Sequence, residues 1–445
     1  MGVQRCGAQP SVQLSALQDV LSDEEVTLIG SQVGHVWRDR LLTPAVTVRS
    51  MVYRSLHPDR SIARILADLT AQDDRLEEGP SEAAWCKARS RLPEAIWPEL
   101  VSVSASRAEV AAGPESGSWA GRPVEIVDGT TVSMPDEPPL VEEFGYANTR
   151  HGQSRFPVAR ILFRVRQGSE AVCDWRMDDY RTAEDPQFHA LWDRIPEGAI
   201  VLFDRKFGSF YNFAKLPQRG IDAVAPLYQR RDPQRLIAKG KRVGRNEWLV
   251  PLDLAPALRK RYNDPTLPET VWVRLIRLRY TRNGQRQTLW LTTTLLDRRA
   301  YPAREIERRY RGRWGMETRI GHLKTTLQIN VLRGKKPRSV RYEVAATLLA
   351  HNLVMTLIHQ AARKTQTPVD RISFAGAVKT VVEFSAPLRY AKPRQRLRLY
   401  AKMLRHVAGH TNRYRPNRIE PRLVKRDPVR YCFLTIPRDQ ARRLA

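Results

Sequence analysis

Residues Tyr310 to Lys324 read YRGRWGMETRIGHLK, within a charged helical pattern that begins near Pro302. At about 100° per residue, Tyr310, Arg313, Glu317 and Lys324 fall within about one sixth of a turn of one another. Met316, Ile320, Leu323 and Leu327 form a continuous apolar stripe beside them. One stripe anchors the helix; its neighbour presents the functional groups. A surface helix with solvated charges shares this periodicity, but its charges ordinarily alternate in sign. Here one carboxylate stands among an Arg, a Lys and a Tyr, a setting suited to phosphate and metal chemistry.

Working upstream, PVEIVDGTTV (Pro123 to Val132) brackets Asp128 with β-branched residues and reads as a strand carrying an acid. Ala199 to Phe203, AIVLF, runs directly into Asp204 and reads as a buried central strand. Between them lie two strand candidates, Val158 to Val165 and Ala171 to Trp175, turned by Gln167, Gly168 and Ser169. A helix over Ala183 to Ile195 follows, with Phe188, Leu191, Trp192 and Ile195 on one face. An Asp at a strand end is more often a turn former or a helix cap. Two of them, each after an apolar run and in order with the Glu317 helix, outweigh that reading.

Ile221 to Pro226 supplies a fifth strand. Trp248 to Pro251, Val271 to Tyr280 and Gln287 to Thr294 then alternate like strands of an insertion, with Asn283–Gly284 as a hairpin turn. Arg230, Arg231, Lys239, Lys241 and Arg242 could track a phosphate backbone or simply form a solvated loop. Val344 to Ile358 reads as a packing helix, and His351 and His359 as core histidines.

The first 110 residues read as short helices: a capping box at Ser22 and Glu25, a start at Thr43–Pro44, and another at Ser81 carrying Lys87, Arg89 and Arg91. Helix, turn, basic helix fits a DNA-reading module or a plain helical bundle, and the pattern leaves both open. A turn-rich stretch from 111 to 122 marks a domain boundary. From Pro387 the chain is strongly basic, which argues for an extended DNA-contacting arm or a disordered tail rather than a core.

The 445 residues hold 75 Lys and Arg against 47 Asp and Glu, a formal charge of +28. A polyanionic partner explains such an excess, and nucleic acid is favoured over a membrane surface. No apolar run reaches the roughly 18 residues of a bilayer span, and no secretory leader pattern opens the chain. A soluble, cytoplasmic, nucleoid-associated protein is expected. Cys6, Cys86, Cys173 and Cys432 are too scattered for zinc ligation or a disulfide framework and read as free thiols. Two Asp and one Glu supply hard oxygen ligands, which suit Mg²⁺ or Mn²⁺.

The spacing of Tyr310, Arg313, Glu317 and Lys324 resembles the Tyr/Arg/Glu/Lys signature of insertion-sequence-4 family transposases, within the DDE class. The resemblance implies a metal-dependent enzyme with a ribonuclease H-like α/β fold, a mixed five-stranded sheet with flanking helices. It makes Asp128, Asp204 and Glu317 the catalytic and metal-holding triad for two ions. It further implies binding of double-stranded DNA, at terminal inverted repeats and target, and cut-and-paste transfer through a hairpin by a dimer on DNA. Tyr310, Arg313 and Lys324 would then handle the transferred end, with Trp314, Trp290 or Trp248 stacking on a flipped base. Thr130 and Lys206 are weaker candidates. SEAAWCKARSRL (Ser81 to Leu92) resembles the family's N-terminal domain, which implies DNA contacts from Lys87, Arg89 and Arg91.

The expected organisation is a helical N-terminal domain over 1–112, a catalytic domain in two parts over 123–226 and 301–365, a β-rich insertion over 227–300, and a basic C-terminal region over 366–445. Two other readings compete: a catalytically silent DNA-binding derivative acting as a repressor, and a nuclease that cuts without joining. Retention of all three acids argues against the first, and the Tyr310, Arg313 and Lys324 set argues against the second.

Overall fold

β-Branched and apolar runs alternate along the middle of the chain, and they become strands where such patterning places them. In the computed structural model these are β1 (Ser118–Trp119), β2 (Arg122–Ser133), β3 (Tyr146–Thr149), β4 (Gly152–Arg166), β5 (Val172–Asp179) and β6 (Ile200–Phe203). They continue as β7 (Asp222–Pro226), β8 (Lys241–Gly244), β9 (Glu247–Asp253), β10 (Thr270–Arg282) and β11 (Gln285–Thr293). The structure describes residues 21–38, 41–71, 79–149, 152–282, 285–412 and 436–443. Cys6, Cys432, the expected Asn283–Gly284 turn and the basic stretch from Arg413 to Tyr431 lie outside the described residues. Cys86 and Cys173 are free thiols.

Contacts divide the chain into two units, one of 113–131 with 159–321 and one of 1–112 with 132–158 and 322–445. The segments 1–112 and 366–445, expected as separate domains, thus fall in one unit.

In the unit containing 159–321, the sheet runs β5-β4-β2-β6-β7-β11-β10-β9-β8. Its centre, β2, β6 and β7, is parallel. The β4–β5 hairpin and the pairs from β7 through β11, β10 and β9 to β8 are antiparallel. The expected five-stranded sheet is therefore exceeded. Leu291 on β11 pairs with Pro226 on β7, so the strands read as an insertion extend the sheet. They satisfy the backbone groups that the β7 edge would otherwise leave open.

The hairpin turn forms where expected. Gly168 has φ 96°, and a Cβ there would lie 2.3 Å from the Gly117 nitrogen, so both conformation and space require glycine. The helix expected over Ala183 to Ile195 is shorter, a helix at Glu184–His189 followed by a single 3₁₀ turn at Trp192–Arg194. Phe188 packs its ring edge-on against Phe203 and Phe207, closing one face of the sheet.

The other unit is helical. The capping box forms, with Ser22 and Glu25 exchanging side-chain and backbone bonds, and Thr43 and Ser81 each cap a helix. Helix Pro337–Thr365 is its centre. Around it pack Ile96–Ala112, Pro44–Leu56, Phe374–Tyr390 and Pro393–Gly409. Asn352, fully buried, donates to Ser104 Oγ at 2.9 Å, and buried Trp85 donates to Ser50 Oγ at 2.7 Å. His351 and His359 are buried in the long helix, as expected.

Two expectations need correction here. Pro337–Thr365 is long and apolar enough to cross a bilayer, although no such run was read from the sequence; 94% of its most apolar stretch is buried inside the protein, as in a core helix. Residues 393–409 are no extended arm. They form a helix whose Met403, Leu404 and Val407 are buried, an apolar stripe that the surrounding Arg and Lys residues mask in composition.

Glu125 on β2 is fully buried between Arg164 and Arg166, at 3.3 and 3.4 Å. Removing it would take from both guanidinium groups the buried carboxylate they share. Glu125→Ala is expected to destabilise this unit by about 3–5 kcal/mol, read as a lowered midpoint in urea unfolding; an unchanged midpoint would contradict it.

Candidate active site

β2 and β6 lie side by side and parallel, with Val127 opposite Phe203. The next residue on each strand is an acid, Asp128 and Asp204, so the register sets the two carboxylates next to each other. Both side chains are half-buried. Asp128 Oδ1 accepts from the Gly129 amide at 2.9 Å. Asp204 ends β6 and caps the 3₁₀ turn Arg205–Phe207, its Oδ1 accepting from the Arg205 amide at 2.5 Å. The two expected acids are thus brought together, Asp128 from within β2 and Asp204 from just past the end of β6.

Helix Ala303–Thr325 carries Tyr310, Arg313, Glu317 and Lys324. Tyr310 is buried and its hydroxyl donates to the Phe203 carbonyl at 3.3 Å, one residue before Asp204. Burial pushes the phenol up to about 12; Arg313 acts against that shift and Asp204 with it. Arg313 is itself buried, with its guanidinium over the Tyr310 ring at 5.4 Å. Desolvation lowers its pKa, but Tyr310, Asp128 and Asp204 together outweigh burial and raise it. One guanidinium therefore feels both acids.

Glu317 stands one helical turn beyond Arg313 and two beyond Tyr310 on the same helix. The side chains of Trp314 and Glu317 lie outside the described residues. Lys324, on the last turn, falls in the other unit.

Asp204, Tyr310 and Arg313 line an open cavity of about 650 Å³. Sequence reasoning missed several of its other residues: Arg160, Glu184, Asp185, Tyr228 and Tyr280. Glu184 pairs with Arg160 at 3.6 Å and with Lys206 at 3.3 Å. Burial raises the pKa of Asp185. Tyr280 had a legible signal, since it ends a period-2 strand pattern; which face of that strand meets the acids depends on sheet order. Trp290 does not reach this cavity. Its neighbour Leu289 lines it, and alternation turns Trp290 to the other face, against Trp248 at 5.6 Å and beneath the Arg277 guanidinium. Thr130 is buried. Lys87, Arg89 and Arg91 lie on helix Glu82–Arg91 in the other unit.

Adjacent carboxylates, Asp128 within β2 and Asp204 just past the end of β6 and on the cavity wall, are hard oxygen donors of the kind Mg²⁺ or Mn²⁺ takes. Among the described residues no third acid, Cys or His completes a cluster, and the Glu317 side chain is not among them.

Comparison with known proteins matches a family model described as Transposase DDE domain to residues 119–353, a span that includes all three acids and Lys324. The transposase InsG for insertion sequence element IS4 of Escherichia coli (strain K12) is 25% identical over 430 residues, 94% of this chain and 93% of that protein. The putative transposase InsZ of the same organism is 33% identical over 103 residues, 23% of this chain and 34% of its own length. Among solved structures, a piggyBac transposase synaptic complex with hairpin DNA aligns over 94% of this chain and 90% of its own, at 10% identity and a TM-score of 0.45. With its family domain spanning more than half of its length, the chain belongs to the DDE transposases, of the insertion-sequence-4 type that its helix signature resembles.

Proposed function

We propose that this insertion-sequence transposase binds the ends of its element and catalyses metal-dependent DNA strand cleavage and strand transfer, by a cut-and-paste route through a hairpin. The observation that carries the reading is the parallel register of Val127 with Phe203, which sets Asp128 beside Asp204 within electrostatic reach of Arg313. A ribonuclease H-like core accords with the order of β2, the β4–β5 hairpin, a helix, β6 and β7 ahead of the Glu317 helix.

Asp128, Asp204 and Glu317 would hold two divalent ions. Such ions, when bound, would supply activation of an attacking oxygen and stabilisation of a leaving one in in-line displacement at phosphorus. Water attack on a backbone phosphate would break its bond to the 3′ oxygen and free a hydroxyl at the element's end. That hydroxyl would then attack phosphorus in the opposite strand or in the target, expelling another 3′ oxygen. Arg313 offers a buried fork to a phosphate, and Lys324 a point charge. The Phe203 carbonyl fixes the Tyr310 hydroxyl, and burial keeps it protonated, so Tyr310 acts as a placed polar group and not as a base. Two protomers would join two DNA ends, in the cytoplasm and on the nucleoid.

Glu317→Gln, Asp128→Asn and Asp204→Asn should each leave binding of duplex end DNA intact. Each should lower Mg²⁺- or Mn²⁺-dependent cleavage and joining by more than the roughly 100-fold typical of losing an outer-shell partner of a metal site. Products resolved on denaturing gels decide this, and wild type that binds without metal-dependent cleavage would overturn the enzymatic reading.

The Tyr310 phenol has a second consequence. Its pKa is raised from 10.0 to about 12, so the folded state holds the proton where the unfolded state has lost it. The associated stability is present below pH 10 and is lost as pH rises through about 12. Between these values, wild type should lose stability more steeply than Tyr310→Phe, measured by denaturant unfolding at successive pH values; parallel curves would refute the raised pKa.

A further inference from the structure

Part of the wall of the cavity beside Asp204 comes from two segments. The start of the short helix Glu184–His189 supplies Glu184 and Asp185, and the 3₁₀ turn after β6 supplies Asp204, Arg205 and Lys206. Lys206 and Glu184 join the two at the cavity, 3.3 Å apart. Behind that lining both segments rest on one residue. Asn212, in helix Phe210–Lys215, is fully buried; its Nδ2 donates to the Phe207 carbonyl at 2.8 Å and to Asp185 Oδ1 at 3.4 Å.

The partners of this amide fix which way it points. The Phe207 carbonyl can only accept, so Nδ2 must face it, and Oδ1 is left for His189, whose Nε2 lies 2.9 Å away and therefore donates. Burial holds His189 below the usual imidazole range, with Asn212 and Asp185 acting against that shift. The main chain continues the connection. The Asn212 amide donates to Ser209 Oγ, the cap of its helix, at 3.2 Å, and the Phe207 amide donates to the Asp204 carbonyl at 3.0 Å. Asp204 Oδ1 is itself bound to the Arg205 amide of the same turn. The carboxylate therefore moves with the turn that Asn212 holds.

An apolar side chain would fill the space of Asn212 without the cost of burying an amide. What the amide adds is three directed bonds, to the turn after β6, to the helix Glu184–His189 at Asp185, and to His189 on the same helix. We infer that Asn212 is a positioning residue of the active site: its amide sets the turn that presents Asp204 and ties that turn to the Asp185 side of the cavity. The inference rests on the reading of Asp204 as a metal-holding residue proposed above. Groups that orient a metal ligand without touching the metal act on its affinity, and that is the quantity Asn212 should control.

The test is Mn²⁺ binding to the full chain without DNA, read from the electron paramagnetic resonance of the free ion, beside the Mn²⁺ dependence of end-DNA cleavage. Asn212→Ala removes the amide, and Asn212→Asp keeps its shape but, when ionised, has no hydrogen for the Phe207 carbonyl. Each should weaken Mn²⁺ binding by roughly 10-fold, the lower end of what losing an outer-shell partner costs. Half-saturation of cleavage should rise by the same factor, while the rate at saturating Mn²⁺ returns to near the wild-type value. Leu252→Ala opens a cavity in the same core and should lower the urea midpoint with Mn²⁺ half-saturation unchanged. If the Asn212 variants do not fold, His189→Ala, at a half-buried position, frees the Oδ1 end alone and should shift half-saturation in the same direction; no shift there overturns the positioning role. So does an unchanged affinity in folded Asn212 variants, an Asn212→Asp that matches wild type, or an equal shift in Leu252→Ala. Asp204→Asn separates the two levels. Mn²⁺ binding weakened in that variant but not in the Asn212 variants leaves the metal-holding role of Asp204 standing without the brace, and binding unchanged by Asp204→Asn overturns both.

Discussion

The parallel pairing of β2 with β6 is the constraint on which the rest of the site depends. A shift of one residue in that register would turn one acid to the opposite face of the sheet. Holding Asp128 beside Asp204 sets like charges on strands about 4.8 Å apart, a repulsion of roughly 3 kcal/mol at an effective dielectric of 20. Nothing in strand formation itself rewards that arrangement. The protein offsets it from two sides, by the β-branched and aromatic packing that buries Val127, Val201 and Phe203 completely, and by the nearby Arg313 guanidinium.

Arg313 would be costly to bury alone, because desolvation opposes its charge. It is tolerated because Tyr310 covers one face and both acids lie within electrostatic reach. Tyr310 in turn bonds to the carbonyl of Phe203, the last residue of β6. The signature helix is thereby tied to the strand that carries the second acid, and the two halves of the site hold each other in register. The same coupling accounts for their separation in sequence, since one helix can dock on the end of a central strand from any distance along the chain.

Much of this was legible from residues. Asp128 and Asp204 stood out because each closes an apolar run, and the capping residues Ser22, Thr43 and Ser81 announced their helices correctly. That Trp290 faces away from the cavity beside Asp204 was hidden because composition cannot tell which face of a strand meets a site; alternation fixes the two faces, but only sheet order says which one matters. The extension of the sheet through β11 was hidden for a similar reason, as pairing with β7 joins residues far apart in the chain. The helix at 393–409 was hidden by its own surface, since its Arg and Lys residues dominate composition while Met403, Leu404 and Val407 decide its fate.

The formal charge of +28 suggested a polyanionic partner but not where it would bind, and the structure divides that charge unequally. In the cavity beside Asp204, Arg160 and Lys206 share Glu184, and Arg313 faces two acids, so cations there are largely matched by carboxylates. Charge matched in this way has little reach beyond the cavity. In the helical unit Lys87, Arg91 and Lys336 carry charge outward, where it extends over about a Debye length into solvent. Unmatched and matched charge thus lie on different surfaces, and the cavity beside Asp204 keeps acids whose charge a uniformly basic one would neutralise.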